Sequence, residues 1–337
     1  MKIRSLLPWL AALATTTAAT LAMNGASAQQ SYSATLVCAA PQTSVWGQQL
    51  ATLKTQIEAQ TNNQVQITLQ FGGDETTLVQ GVKAGTHQAG SFSTQAIAHA
   101  ASVPRLQVVE LPYLFRSTAE VDHVLDTVVL DPITADLAAQ DLVFGMWSDN
   151  GWLNLTATSA VFNSPSELGG SPLRRQPGWL HEQLFSALGG PSTPLELSQI
   201  APALGNDAIK GMEASVQYLA VSGLTPIKKV TETQHIFQPG AVVWSEGFWD
   251  TLPPDLKAKI RSIQQSLTPT SRAAIRAEEA SARSTLQAQG TTFHTPTDLD
   301  GFKTQTQSIY GQYSSLSPES AELLQQVQSA LNTMRGQ

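Results

Sequence analysis

Two hydrophobic periods alternate along this chain, and their order constrains the fold more than any motif does. Val65, Ile67, Leu69 and Phe71 alternate strictly with polar residues, the mark of a strand with one buried face. Before them, Thr35 to Ala40 is a short β-type run. Trp46, Leu50, Leu53 and Ile57 then recur at helical spacing until Asn62-Asn63 ends the helix. After them, Gly72-Gly73 turns the chain, Asp74 is placed to cap, Leu78 and Val82 lie on the next helix, and Gly85 sits where a C′ glycine belongs. Strand-helix-strand-helix order predicts an α/β fold, with a parallel or mixed sheet covered by helices on both faces.

The pattern continues. Leu106 to Leu111 reads as a strand running into Pro112-Tyr113-Leu114-Phe115. Ser117 and Glu120 form a capping box for a helix carrying Val121, Val124 and Leu125. Asp141 to Trp147 reads as another strand, and Asp149-Asn150-Gly151 as a turn that opens a second unit. That unit comprises a strand from Leu153 to Thr158, a turn at 163–165, a strand around 173–176, a helix from Leu180 to Leu188 stopped by Gly189-Gly190, and a strand around 193–195. Pro253-Pro254 opens a helix through Leu256, Ile260 and Ile263, and Ser271 to Gln289 reads as one long Ala-rich helix. With 337 residues, 42% of them hydrophobic, the chain is long enough for two domains.

Residues 1–28 read as a secretory signal. Lys2 and Arg4 form the positive start, Leu6 through Met23 is mostly apolar, and Ala26-Ser27-Ala28 fits the small-x-small cleavage pattern. The net charge is −7 and cleavage removes two more cations. The mature chain is therefore expected to be an acidic, exported periplasmic monomer, with no basic run for nucleic acid or anionic membrane. The single cysteine, Cys38, excludes a disulfide framework and a multi-cysteine metal site. Thr35-Leu36-Val37 before it is not the context of a lipoprotein cysteine.

Chemistry-bearing motifs are sparse. There is no Gly-x-Ser-x-Gly elbow, His-Glu-x-x-His, phosphate loop or EF-hand, so no cofactor or metal is implied. The six histidines are scattered without ligand spacing. Gly72-Gly73-Asp74 precedes a helix and suits either an anion or an ordinary turn and cap. Arg174-Arg175 lies in an extended segment leading to a helix. An arginine at such a strand end either grips a carboxylate through two parallel hydrogen bonds or forms a solvated surface pair.

Several of these segments together resemble the periplasmic solute-binding subunits of tripartite ATP-independent periplasmic (TRAP) transporters. Gly73-Asp74-Glu75 with Leu78, Val82 and Gly85-Thr86, then Leu111-Pro112-Tyr113-Leu114-Phe115, are similar to two of that family's segments. Ser166-Glu167-Leu168 through Arg174 matches a third, and Gly189, Thr193-Pro194-Leu195, Ser198 and Ala203-Leu204 follow in register. Gly211 and Glu213, then Trp249 with Leu252-Pro253, complete the series. The resemblance implies a two-lobed clamshell with mixed sheets, crossing strands and a long late helix spanning both lobes. It places lobe I at 29–151 plus 240–279 and lobe II at 152–239 plus 280–337.

The family's carboxylate-pairing arginine maps to Arg174, with Arg175 as the alternative because Gln176-Pro177 could shift the register. Departures from the family pattern fall at Leu153 and Asn154, where acid-sugar binders carry a second arginine, and at Lys210, Ala214, Leu197 and Ser93. The site therefore reads as short of polar partners, with Trp46, Trp152 and Trp179 as candidate walls. That favours a compact organic acid with an apolar body, such as a 2-oxo or aromatic carboxylate. The implied function is capture of a small organic acid anion and its delivery to TRAP membrane permease subunits. The alternatives are a sensor that hands its closed form to a receptor or kinase, and a periplasmic α/β enzyme.

Overall fold

The computed structural model describes residues 30–337, so the leader expected over 1–28 lies outside the described residues. The strictly alternating segment is a strand with the expected bounds. Nine strands form one sheet: β1 (Tyr32–Cys38), β2 (Val65–Phe71), β3 (Ala89–Ser93), β4 (Leu142–Ala157), β5 (Leu173–Arg175), β6 (Ser192–Pro194), β7 (Gly211–Ser215), β8 (Lys229–Ser245) and β9 (Thr292–His294). Their order is β2-β1-β3-β8-β4-β7-β5-β6, with β9 against β8. Parallel pairs (β1 with β2 and β3, β5 with β6 and β7) flank the long antiparallel pair β4–β8.

β4 and β8 are the crossing strands. The 240–244 end of β8 pairs with β3, and the 153–157 end of β4 pairs with β7. Between these ends the β4–β8 register shifts at Asp149/Gly151 and again at Leu153/Leu155. The turn read at Asp149-Asn150-Gly151 is thus a bulge inside one strand. Gly151 supplies the positive φ (+93°) that the bulge needs, so the backbone bends without reversing.

Other expectations change for stated reasons. Leu106 to Leu111 is not a strand but part of a 3-10 segment, Pro104–Glu110. A short apolar run does not distinguish a strand from a buried helical turn, and Pro104 at its first position favours the turn. The two late helices are one, Pro254–Ala288, which continues through Pro269. The hydroxyl of Thr268 bonds Gln264 O, and that of Thr270 bonds Leu267 O, on either side of the proline. β8 itself escaped the sequence reading, because Pro239-Gly240 interrupts an otherwise strand-like run.

The long helix ties two cores together. Leu256, Ile260, Ile263 and Ile275 pack with helix Val45–Gln60 and β1–β2, while Ala282 and Leu286 pack with helices Leu197–Gly205 and Val216–Val221. Between those contacts, Arg272 and Arg276, one turn apart, face carboxylates. Arg276 grips both oxygens of Asp122 at 2.7 Å and donates Nε to Asp149 Oδ2 at 2.8 Å; Arg272 grips Asp126 at 2.8 and 3.1 Å.

Burial pushes the Asp149 pKa up to about 6, with Arg276 and Arg272 opposing. A folded pKa above the unfolded one means that stability falls as pH rises through about 6. Arg276→Met should lower the unfolding free energy by about 1–3 kcal/mol. The deficit should grow between pH 5 and pH 7, because losing the cation raises the Asp149 pKa further. Urea titrations at both pH values check this, and a pH-independent deficit contradicts it.

Candidate functional site

Side chains of a strand alternate between its faces, so 174 and 176 project together and 175 opposes them. Arg174 and Gln176 lie on the wall of a cavity of about 90 Å³, room for roughly six to nine waters or a compact solute. Arg175 turns away. Its guanidinium lies 3.6 Å from Glu182 and donates at 3.4 Å to the carbonyls of Gln176 and Gly178. Gly178 is obligatory there: its φ is +120°, and a Cβ would stand 1.9 Å from Gln95 Nε2.

The cavity also brings together Trp46, Ser93, Leu197 and Ala214 from the sequence-based set. Trp46 is anchored by Nε1 donating to Asp149 O at 2.6 Å. The other three candidates do not line it. Leu153 faces the cavity, so its neighbours Trp152 and Asn154 face away. Trp152 packs edge-on against Phe237 with centroids 5.1 Å apart. Asn154 serves the second bulge, accepting from Gln234 N at 3.1 Å and donating to Trp152 O at 3.3 Å. Trp179 opens helix Trp179–Leu188 and packs on the core.

The expectation of a site poor in polar partners is corrected by residues that sequence reasoning missed. Glu75, Asn150, Glu213, Gln217, Tyr218 and Gln238 all reach the wall. Gln176 follows Arg174 by two positions, and Glu75 and Glu213 fall in segments that carry the family resemblance. Asn150, Gln217, Tyr218 and Gln238 arrive from β4, β8 and the helix after β7, through strand pairing that no local pattern records.

Arg174 is 4% exposed. Its Nε donates to Leu195 O at 2.8 Å, and among the described residues no group hydrogen-bonds its two Nη amides. Burial draws its pKa down, while Glu213, Tyr218, Glu75 and Glu196 act in the opposite direction. The Gln217 amide and Tyr218 hydroxyl likewise lack side-chain partners among the described residues, although Gln217 is only 5% exposed. Buried polar groups are almost always satisfied, so a cation and two neutral groups aimed into one cavity suit an anion that carries further polar atoms.

Glu213 does not neutralise Arg174, because its charge is committed elsewhere. Oε1 lies 2.7 Å from His181 Nδ1 and accepts from Gln176 N at 3.1 Å, while Oε2 is 3.5 Å from His235 Nε2. Burial would raise the Glu213 pKa, but the charge and hydrogen bond of His181, with His235, hold it well below the carboxylate range. Glu110 completes the network. It contacts His181 Nε2 at 3.3 Å, takes a bond from Gln238 at 2.7 Å and accepts from Thr94 Oγ1. Gln238 in turn accepts from Asn150 at 2.7 Å.

His181, between two carboxylates, is raised to about 9: burial lowers its pKa, and Glu213 and Glu110 overcome that. Its contribution to stability is complete below the unfolded value near 6.5 and is lost as pH rises through about 9. Calorimetry should show a melting temperature that falls from pH 6.5 to 9.5 in the parent chain. His181→Asn should start lower and stay flat across that window; parallel curves would refute the assignment.

Residues 36–316 match the family model DctP, described as bacterial extracellular solute-binding protein, family 7. A solute-binding protein of Verminephrobacter eiseniae is 23% identical over 256 residues, covering 74% of this chain and 76% of its own. Two TRAP periplasmic solute-binding proteins share the fold. One from Chromohalobacter salexigens, with bound D-glucuronate, superposes with TM-score 0.84 at 20% identity over 89% of this chain and all of that one. One from Haemophilus influenzae, with bound L-gulonate, has TM-score 0.84 at 20% identity over 89% of this chain and 99% of its own. The family model spans most of the described residues, and the sheet with its two crossing strands is that of the two-lobed TRAP solute-binding proteins. This chain belongs to the bacterial extracellular solute-binding protein family 7.

Proposed function

We propose that this chain is the extracytoplasmic solute-binding subunit of a TRAP-type secondary transporter. It works as a monomer without catalysis, captures a small organic acid anion in the interlobe cavity and passes it to the membrane permease. The observation that carries this reading is the buried Arg174 on the cavity wall, whose Nη groups have no hydrogen-bond partner among the described residues. The carboxylate of the acid takes the two Nη amides, and water exclusion on closure strengthens the pair. The lobe boundaries near 151/152 and 239/240 are supported by the exchange of strand partners there. Export through a cleaved leader is supported by the family and by the composition of residues 1–28.

Micromolar affinity requires about 8 kcal/mol, more than one buried charge pair supplies. Trp46, Leu153, Leu197, Met212 and Val221 supply apolar burial for the rest. Gln217 and Tyr218 favour an acid with hydroxyl or carbonyl groups over a purely apolar one. This revises the preference for an apolar body, and the acids bound by the two structural relatives carry hydroxyl groups.

Native mass spectrometry of protein purified without refolding should reveal a carboxylic acid cargo. In calorimetry with that acid, or with D-glucuronate and L-gulonate, Arg174→Ala should weaken binding about 100-fold or more. Hexanoate should bind far more weakly than the hydroxylated acids. Undiminished binding by Arg174→Ala would remove the basis of the site.

Glu75 adds a pH dependence. Burial pushes its pKa up to about 6 against hydrogen bonds from Ser93 N and Oγ, at 2.8 and 3.0 Å. An anion entering beside it is repelled only while Glu75 is ionised. The dissociation constant should therefore fall several-fold from pH 8 to pH 5.5, and Glu75→Gln should abolish that trend in calorimetric titrations.

A further inference from the structure

The sheet order places β2 at one end and β6 at the other, eight strands along the path. Laid flat, those edges would be about 33 Å apart. Yet Asp74, three residues after β2, meets Ser198, four residues after β6. Asp74 Oδ1 accepts from Ser198 N and Oδ2 from Ser198 Oγ, each at 3.2 Å. The residues beside this pair, Glu75 and Leu197, line the cavity. The contact therefore spans the mouth, with the cavity wall one residue inward on each side.

Asp74 is the N-cap of helix Glu75–Lys83, with extended backbone (φ −101°, ψ 133°), but its side chain makes no bond to that helix. On the other side, Gln199 reaches back to Glu196 N at 2.9 Å, and Ser198 N is left to Asp74. One carboxylate thus has two alternative sets of orphan amides: those of its own helix, for which its backbone is already posed, and that of the facing helix.

We propose that Asp74 and Ser198 form a closure clasp, the Asp74 carboxylate capping the opposite lobe's helix when the cleft is shut and its own helix when the cleft is open. The shut form gives the carboxylate two bonds, from Ser198 N and Oγ, and the open form one cap bond, so removing Asp74 weakens the shut form more while opening leaves no stranded charge. Asp74 is half-buried and Ser198 exposed, so the clasp biases the equilibrium modestly and stays releasable. The proposal rests on ligand capture by closure, as argued above, and touches no group that holds the acid.

Spin labels on Gln80→Cys and Ala201→Cys, both exposed, report the distance between the two helices; Cys38 is buried and stays unlabelled. In the parent chain a short-distance population should be present without added acid and should grow with D-glucuronate or L-gulonate. Asp74→Ala should reduce the short-to-long ratio two- to tenfold in the acid-free sample, with the ligand-free melting temperature close to that of the parent. Ser198→Ala should have a smaller effect, because the backbone amide remains, and adding it to Asp74→Ala should change nothing further. Asp74→Asn, which keeps an acceptor and a cap, should fall between and serves if the alanine variant folds poorly. An unchanged ratio in Asp74→Ala or Asp74→Asn overturns the clasp, as does a parent chain with no short-distance population in either condition. If neither acid enlarges the short-distance population while Asp74→Ala still depletes it, the clasp stands and the ligand assignment fails.

Discussion

The β4–β8 ladder is the constraint on which the molecule depends. Both strands run through both halves of the sheet, β8 pairing with β3 at one end of the ladder and β4 with β7 at the other. Their register slips at Asp149/Gly151 and Leu153/Leu155, where the strands pass from one half to the other. Bulges add local twist and bend while preserving the flanking ladder. The cavity sits at this bend, with Asp149, Asn150 and Leu153 in its wall. The helix Pro254–Ala288 braces this bend through Arg272 and Arg276.

The electrostatics above the bend follow from which charges are already spent. His181 stands between Glu110 and Glu213 and compensates that buried acidity; Arg276 does the same for Asp149. Arg174, on the cavity wall, has among the described residues one side-chain hydrogen bond, to a carbonyl. A buried cation is costly unless paired. The protein tolerates the cost through the nearby negative charge of Glu213, Glu75 and Glu196, none of which lies close enough for a salt bridge.

Legibility in the sequence followed the range of the interaction. β2 and the helices Val45–Gln60 and Trp179–Leu188 were readable because each buries one face against the core, and their stop signals, Asn62-Asn63 and Gly189, adopt the left-handed conformations those residues favour. The 106–110 run misleads because all five of its residues are buried, which erases any period. Asp149 to Gly151 misled because turn residues also make bulges. At the site, the family resemblance singles out Arg174; Trp152 and Trp179, candidates by residue type, pack on the core, and Asn154, a candidate by family position, serves the second bulge.

By itself, the sequence determined the α/β class, the acidic balance, the absence of recognised catalytic motifs and an arginine pair on a short strand leading to a helix. Those properties are written in neighbouring residues, within reach of one turn or one pleat. The tertiary structure decided which arginine faces the cavity, that Glu213 is neutralised from below and that Asp74 bonds a serine 124 positions away. These depend on where β4 and β8 bulge and how the sheet folds over, because a cavity is made by residues whose only relation in the chain is the pairing that brings them together.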